Sequence, residues 1–243
     1  MAEPITLYVV PASHPCVAVM AGLELKGLDY ERKDLMFGAS NVQQMLRFGA
    51  RTVPGMTIGR QKVSGSRLIL RAIDGLKPDP PLVPADPEHK AAVDEADEWG
   101  DLVLQEQVRW ILLQATKKAP EALVSFMEGY DVPTLPEWVL KRAGLGVDLE
   151  MRLLGYSAAQ VQNEWTPALP GHIDHVDSLI EKGVIGGDQP NVADLQISST
   201  VRLLLNLEDL QPHIEERPAG KLARRLIPDY PGHIPAGILD SAF

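Results

Sequence analysis

One cysteine, Cys16, is all the thiol this 243-residue sequence holds. A single cysteine excludes an internal disulfide, and no Cys/His cluster has zinc spacing, so no metal site is expected. No apolar run approaches the roughly 18 residues that a membrane span needs. Basic residues are short relative to acidic ones, 23 against 33, for a net charge of −10. A polyanion is repelled on average by such a chain, so no nucleic-acid partner is expected. The opening, MAEPITLYVV, lacks the basic start of a signal peptide and runs straight into a strand-like segment. These absences lead us to expect a cytoplasmic chain without a membrane partner. What is present, 45% apolar and 23% charged residues, suffices for a full core in one large domain or two modest ones.

The pattern changes once along the chain. ITLYVV (5–10) is rich in β-branched and aromatic residues and predicts a strand. VAVMAGLELKG (17–27) has helical spacing and closes on Lys26-Gly27, a C-cap signal. LDYERKDL (28–35) alternates and predicts a second strand. Residues 38–50 predict a loop with a short helix, 51–65 two strands joined at Gly59-Arg60, and 66–76 a helix. Residues 1–76 thus read β-α-β and then β-β-α, a thioredoxin-like plan. KPDPPLVPADPEH (77–89) places five prolines in thirteen residues and predicts a linker. Residues 90–243 predict an all-α domain. Helical patterns cover 88–116, 117–130, 136–154, 157–182, 191–206 and 219–226, and a Pro/Gly-rich tail over 227–243 is expected to wrap the surface.

Four short motifs stand out. SHPC (13–16) sits where the first strand meets the first helix. A helix N-terminus offers free N–H groups and partial positive charge, which favour an anion or a thiolate. Equally, Ser13 can be a plain N-cap, Pro15 a first-turn proline and Cys16 a small buried hydrophobe. TVPGM (52–56) puts Pro54 at a strand, where a cis Val53–Pro54 bond would account for it and would leave the Val53 backbone open to pair with an extended peptide. SGSR (64–67) opens a helix with Ser66, which can hold a carboxylate or simply cap. In GGDQPNVADLQI (186–197), Asn191 and Asp194 have capping-box spacing, a structural signal.

Taken together and in this order, these features resemble the glutathione S-transferase superfamily. The resemblance covers essentially the whole chain: an α/β thioredoxin-like N-terminal domain, a proline-rich linker and an all-α C-terminal domain, the GST fold. PASHPC looks like the first junction of the serine-type, theta- and delta-like transferases, Thr52-Val53-Pro54 like the cis-proline motif, SGSRLI like the segment usually read Glu-Ser-x-x-Ile, and VADLQ like the second domain's capping motif.

The resemblance implies an enzyme that uses glutathione as cosubstrate, with no bound cofactor. Ser13 would hold the glutathione sulfur as a thiolate. The Val53 backbone beside Pro54 would pair with the cysteinyl unit. Ser66 and the amides of Ser66 and Arg67 would take the γ-glutamyl carboxylate, and Arg51 the glycyl carboxylate. A small hydrophobic electrophile would lie between the domains, near His14, Val103, Gln107 and Trp110, with Trp99 and Glu106 as neighbours on the same helix. A homodimer is implied as well. Three departures mark this chain: Gly65 stands where an acid is expected, His14 lies inside the motif, and residues 128–148 form an insertion. Two alternatives stay open. One is a glutaredoxin-like thiol–disulfide reductase working through Cys16; the other is a non-catalytic binding protein with the same fold.

Overall fold

The computed structural model describes residues 3–36, 39–133 and 136–239. Residues 1–2, 37–38, 134–135 of the insertion and 240–243 of the tail lie outside those described residues. Strand β1 (Ile5–Val9) alternates: Ile5, Leu7 and Val9 enter the core while Tyr8 turns to the opposite face. Helix α1 (His14–Leu25) follows, with Pro15 in its first turn. It ends in a Schellman motif. Gly27, at φ +55°, donates to Glu24 O, and Leu28 donates to Leu23 O. That closure uses the amide of Leu28, so strand β2 starts later than its alternation predicts, at Glu31–Asp34.

Helix α2 (Ala39–Phe48), strands β3 (Gly55–Ile58) and β4 (Gln61–Ser64) and helix α3 (Ser66–Leu76) complete the first domain. The sheet order is β2-β1-β3-β4, with β1 and β2 parallel and the other two pairs antiparallel. This is the thioredoxin-like plan. Helix α2 is turned unexpectedly: Gln44 is buried while Val42, Met45 and Leu46 face outward.

The second half is helical. The stretch expected over 88–116 is α4 (Pro87–Trp99), a π-helical segment (Gly100–Gln105) and α5 (Glu106–Lys118). Asp86 caps its start by accepting from the His89 amide at 2.8 Å. A single helix over 117–130 does not form. Ala119 leaves helical backbone geometry ahead of Pro120, and only a 3-10 turn (Pro120–Ala122) and the short α6 (Leu123–Phe126) follow. Next come α7 (Glu137–Leu153), α8 (Ala158–Gln160), a π segment (Val161–Trp165), α9 (Thr166–Glu181) and α10 (Val192–Leu204). Two short helices, α11 (Gln211–Ile214), which has no clear sequence pattern, and α12 (Pro218–Leu226), precede the tail.

Helix α10 is buried on every side and carries the capping box. Asn191 Oδ1 accepts from the Ala193 and Asp194 amides, and Asp194 Oδ2 accepts from the Asn191 amide at 2.9 Å. It packs on α1 and α3, so one apolar core runs through both halves. The proline-rich segment is fastened rather than free. Its Leu82 is fully buried, and the Leu82 carbonyl accepts from the Val192 amide at 3.0 Å. The tail likewise penetrates instead of wrapping: Ile227, Tyr230 and Ile234 are buried. Arg202 donates to the Ile227 carbonyl, and Asn206 to those of Tyr230 and Pro231.

Candidate functional site

Register decides which residues can meet. Tyr8 on β1 lies opposite Gly55 on β3, and Gly55 lies opposite Ser64 on β4. The chain leaving β1, the chain entering β3 and the chain leaving β4 therefore share one end of the sheet. Ser13 follows β1 there, Val53 precedes β3 and Ser66 follows β4. Helices α1 and α3 both begin at this end and direct their positive poles to it.

Ser13 occupies the N-cap position of α1 with extended backbone, and its carbonyl accepts from the Cys16 and Val17 amides. Its hydroxyl makes no capping bond. The plain N-cap reading of that side chain is thereby corrected: the half-buried hydroxyl caps no backbone amide and points instead at the Cys16 thiol in the first turn. Just before it, Ala12 stands at φ +62°, a region that non-glycine residues rarely adopt. The buried Tyr230 hydroxyl donates to the Ala12 carbonyl at 3.0 Å and so holds this bend from the tail.

Cys16 is fully buried, and burial pushes its thiol up to about 12, against the opposing pull of the Ser13 hydroxyl. His14 is buried as well. Burial, aided by the nearby Arg109 guanidinium, lowers its pKa to about 3, so the imidazole is neutral. One ring nitrogen meets the Gln105 carbonyl of the π segment, while Nε2 has no partner among the described residues. His14 thus links the start of α1 to the long helix of the second half.

The Val53–Pro54 bond is cis. Among the described residues neither backbone group of Val53 is hydrogen-bonded, because the β1–β3 ladder stops at Gly55. The Pro54 carbonyl accepts from the Gly65 amide at 2.9 Å, which ties this turn to the start of α3. Gly65 is the N-cap of α3 and offers no side chain, so the first amides of α3 lack a cap. Its φ of +88° with ψ of 136° is a conformation reserved largely for glycine, which explains why an acid does not stand there. Ser66 is buried and Arg51 exposed. The Arg67 side chain is committed elsewhere, to the buried Asp97 at 3.0 Å, and only its amide faces the α3 N-terminus.

The residues expected around an electrophile do not converge. Trp110 is fully buried, its Nε1 donating to Glu106 and its ring edge-on to Tyr156, so its place is in the core. Gln107 Oε1 accepts from His172 Nε2 at 2.9 Å. His172 and His175 both pack edge-on against Trp99, which gives these histidines and that tryptophan a structural use. Val103 is half-buried. The groups that reach the start of α1 are instead Gln105, which ends the π segment, and Arg109 on α5.

Four further residues frame the site and escaped the sequence reading. Tyr130, within the insertion, lies under the Arg32 guanidinium at 4.7 Å and in the neighbourhood of Cys16. Asp34 accepts from the Asp131 amide at 2.7 Å, fastening this loop to β2. The one signal for this arrangement was the Tyr-Asp pair in EGYDVP, far from any strand in sequence.

Residues 7–81 match the family model described as "Glutathione S-transferase, N-terminal domain". A solved structure of FzlA from C. crescentus superposes with a TM-score of 0.60 at 18% identity, covering 99% of this chain and 100% of that one. The chain has the glutathione S-transferase fold. A glutathione S-transferase from Rhodospirillum rubrum F11 gives a TM-score of 0.61 at 18% identity, covering 98% and 100%. A glutathione transferase homologue from Sulfitobacter, solved with bound glutathione, gives 0.53 at 16% identity, covering 92% and 91%. No curated protein matches the chain in sequence. The glutathione S-transferase fold observed here includes no helix long and apolar enough to cross a membrane, among the described residues.

Proposed function

We propose that this protein binds glutathione, or a related low-molecular-weight thiol, and activates its sulfur for attack on a small hydrophobic electrophile. The observation that carries the reading is the Ser13 hydroxyl, which caps no amide of α1 and meets only the Cys16 thiol, at the sheet end where neither backbone group of Val53 is hydrogen-bonded among the described residues. The Val53 amide and carbonyl would pair with the cysteinyl unit next to the Pro54 turn. The Ser66 hydroxyl and the Ser66 and Arg67 amides would receive the γ-glutamyl carboxylate, and Arg51 the glycyl one. Ser13 would donate its hydrogen to the sulfur. A charge-assisted hydrogen bond contributes about 1.5–3 kcal/mol, or about one to two pKa units on the bound thiol. The thiol proton goes to solvent, the sulfur forms a carbon–sulfur bond, and the electrophile's leaving group departs with its electron pair. Glutathione is a cosubstrate here and no resident cofactor is required. The serine-type subclass, the cytoplasmic setting and a homodimer belong to the same reading.

A thiol–disulfide reductase working through Cys16 fits less well. Its thiol is sealed from solvent and held up at about 12, the opposite of what a nucleophilic cysteine needs. One feature favours a non-catalytic binding protein: Gly65 supplies no carboxylate for the γ-glutamyl ammonium, and its backbone disfavours one. Calorimetry separates the readings. Saturable binding of glutathione or another small thiol is expected, and a ligand at a hundred times its Kd adds about 2.7 kcal/mol of stability. Absence of heat and of thermal stabilisation across a panel of such thiols would sink the transferase reading.

A further inference from the structure

Ala12 is the one non-glycine residue at positive φ among the described residues, at +62°. It belongs to the turn that joins β1 to α1. Across that turn the Ser13 amide donates to the Val10 carbonyl at 3.4 Å, with Pro11 and Ala12 at the two corners. Proline suits the first corner. A positive φ at the second is glycine's role, so alanine is strained there. Strain of this kind persists only where the surroundings impose it.

The restraint comes from the far end of the chain. The Tyr230 hydroxyl donates to the Ala12 carbonyl at 3.0 Å, and both residues are buried. Burial raises the pKa of that hydroxyl well above its ordinary value, so it remains a donor. Tyr230 is itself fixed from just past the end of α10. Asn206 Nδ2 donates to the Tyr230 and Pro231 carbonyls, each at 3.2 Å, while Asn206 Oδ1 accepts from Arg202 at 2.6 Å. The carbonyl that Tyr230 holds shares a planar peptide unit with the Ser13 nitrogen, so its orientation governs where the Ser13 side chain points. On the helix side Ser13 is already fixed, its carbonyl accepting from the Cys16 and Val17 amides.

We propose that Tyr230 is a positioning residue for thiol activation, an inference that rests on the thiol-binding reading of Ser13. By holding the Ala12 carbonyl it keeps the strained turn in place and aims the Ser13 hydroxyl at the incoming sulfur. Without this bond Ala12 relaxes to negative φ, the Ala12–Ser13 peptide turns, and the hydroxyl loses its line to the thiolate.

Titration of bound glutathione by thiolate absorbance, together with turnover of a generic electrophile, tests this on the full chain. Tyr230→Phe keeps the ring and removes only the hydroxyl. Glutathione should bind within about twofold of wild type, the bound thiol's pKa should rise by about half to one unit, and turnover near neutrality should fall about three- to tenfold. His14 with Arg109, Asp34 with Arg32, Tyr130 and Cys16 surround the turn and are unaltered in this variant, so the shift reports the turn itself. Ala12→Gly added to Tyr230→Phe should restore the wild-type profile, because glycine holds a positive φ without strain. A lowered Tm with an unmoved thiol pKa would make Tyr230 a purely structural residue and overturn the proposal, as would a failure of Ala12→Gly to rescue. Should Tyr230→Phe not fold, Asn206→Asp carries the test, since it keeps an acceptor for Arg202 but withdraws both donors from the tail. It should raise the thiol pKa in the same direction, and an unmoved value would overturn the proposal. A wild type that binds glutathione without lowering its thiol pKa would instead sink the thiol-activating reading, and the positioning role with it.

Discussion

His14 makes the stability of this protein depend on acid. Its imidazole has an ordinary value of 6.5 when unfolded and about 3 when buried beside Arg109. Above pH 6.5 both states hold it neutral and it adds no pH dependence. As pH falls from 6.5 towards 3 the unfolded chain takes up a proton that the folded chain refuses. Stability therefore declines through that window by about 1.4 kcal/mol per pH unit from this group. Urea titrations at pH 7 and pH 4.5 should differ by about 2–3 kcal/mol more in the wild type than in His14→Gln, which keeps a donor for the Gln105 carbonyl but cannot titrate. Equal losses in the two proteins would show that the imidazole is not buried neutral. The position was visible in SHPC, but its burial was not, since a histidine in a junction loop has no pattern that says which helix will cover it.

At the scale of elements, Lys26 shows the same limit. Next to Gly27 it marks the end of α1, and that much was legible. Its side chain is fully buried and donates to Asp74 Oδ1 at 2.5 Å, to the Lys77 carbonyl at 2.7 Å and to the Pro80 carbonyl. Asp74 in turn accepts from the Leu82 amide at 2.7 Å. One ammonium thus joins α1, α3 and the proline-rich segment. Lys26→Met should destabilise the fold by about 3 kcal/mol, because it leaves a carboxylate and two carbonyls without their donor. A change below about 0.5 kcal/mol, the range of an ordinary surface site, would contradict this role. Local signals did specify β1, α1, the hairpin at Gly59-Arg60 and the Asn191–Asp194 capping box, since each rests on neighbours in sequence. The inward turn of α2, the break at Pro120 within the span expected as one helix, and the anchoring of Ala12 by Tyr230 depend on packing partners far along the chain. Periodicity carries no information about those.

At the scale of the whole molecule, the helical half holds the start of α1 in place. The α1 start that presents Ser13 is gripped by Gln105 through His14 and by Tyr230 through Ala12, both from the helical half. Exposed apolar residues sit on the other flank: Leu68 on α3 and Leu102 on the π segment, each 62% exposed, and the Arg67–Asp97 ion pair ties α3 to α4, which leads directly into that segment. The dimer proposed above would cover them. Sedimentation velocity should then show twice the 26.6 kDa chain mass, reverting to one chain in Leu68→Glu/Leu102→Glu. A wild type that sediments as a monomer at micromolar concentration would remove the dimer without touching the chemistry. That chemistry is tested most directly by the pH–rate profile with glutathione and a generic electrophile. In Ser13→Ala the thiol should still bind, the acid limb of the profile should move up by about one to two pH units, and turnover near neutrality should fall about 10- to 100-fold, equivalent to about 1.4–2.7 kcal/mol. Cys16→Ala should keep the wild-type profile and lose only packing stability. An unchanged profile in Ser13→Ala together with a collapsed rate in Cys16→Ala would contradict the account and make the buried thiol the working group.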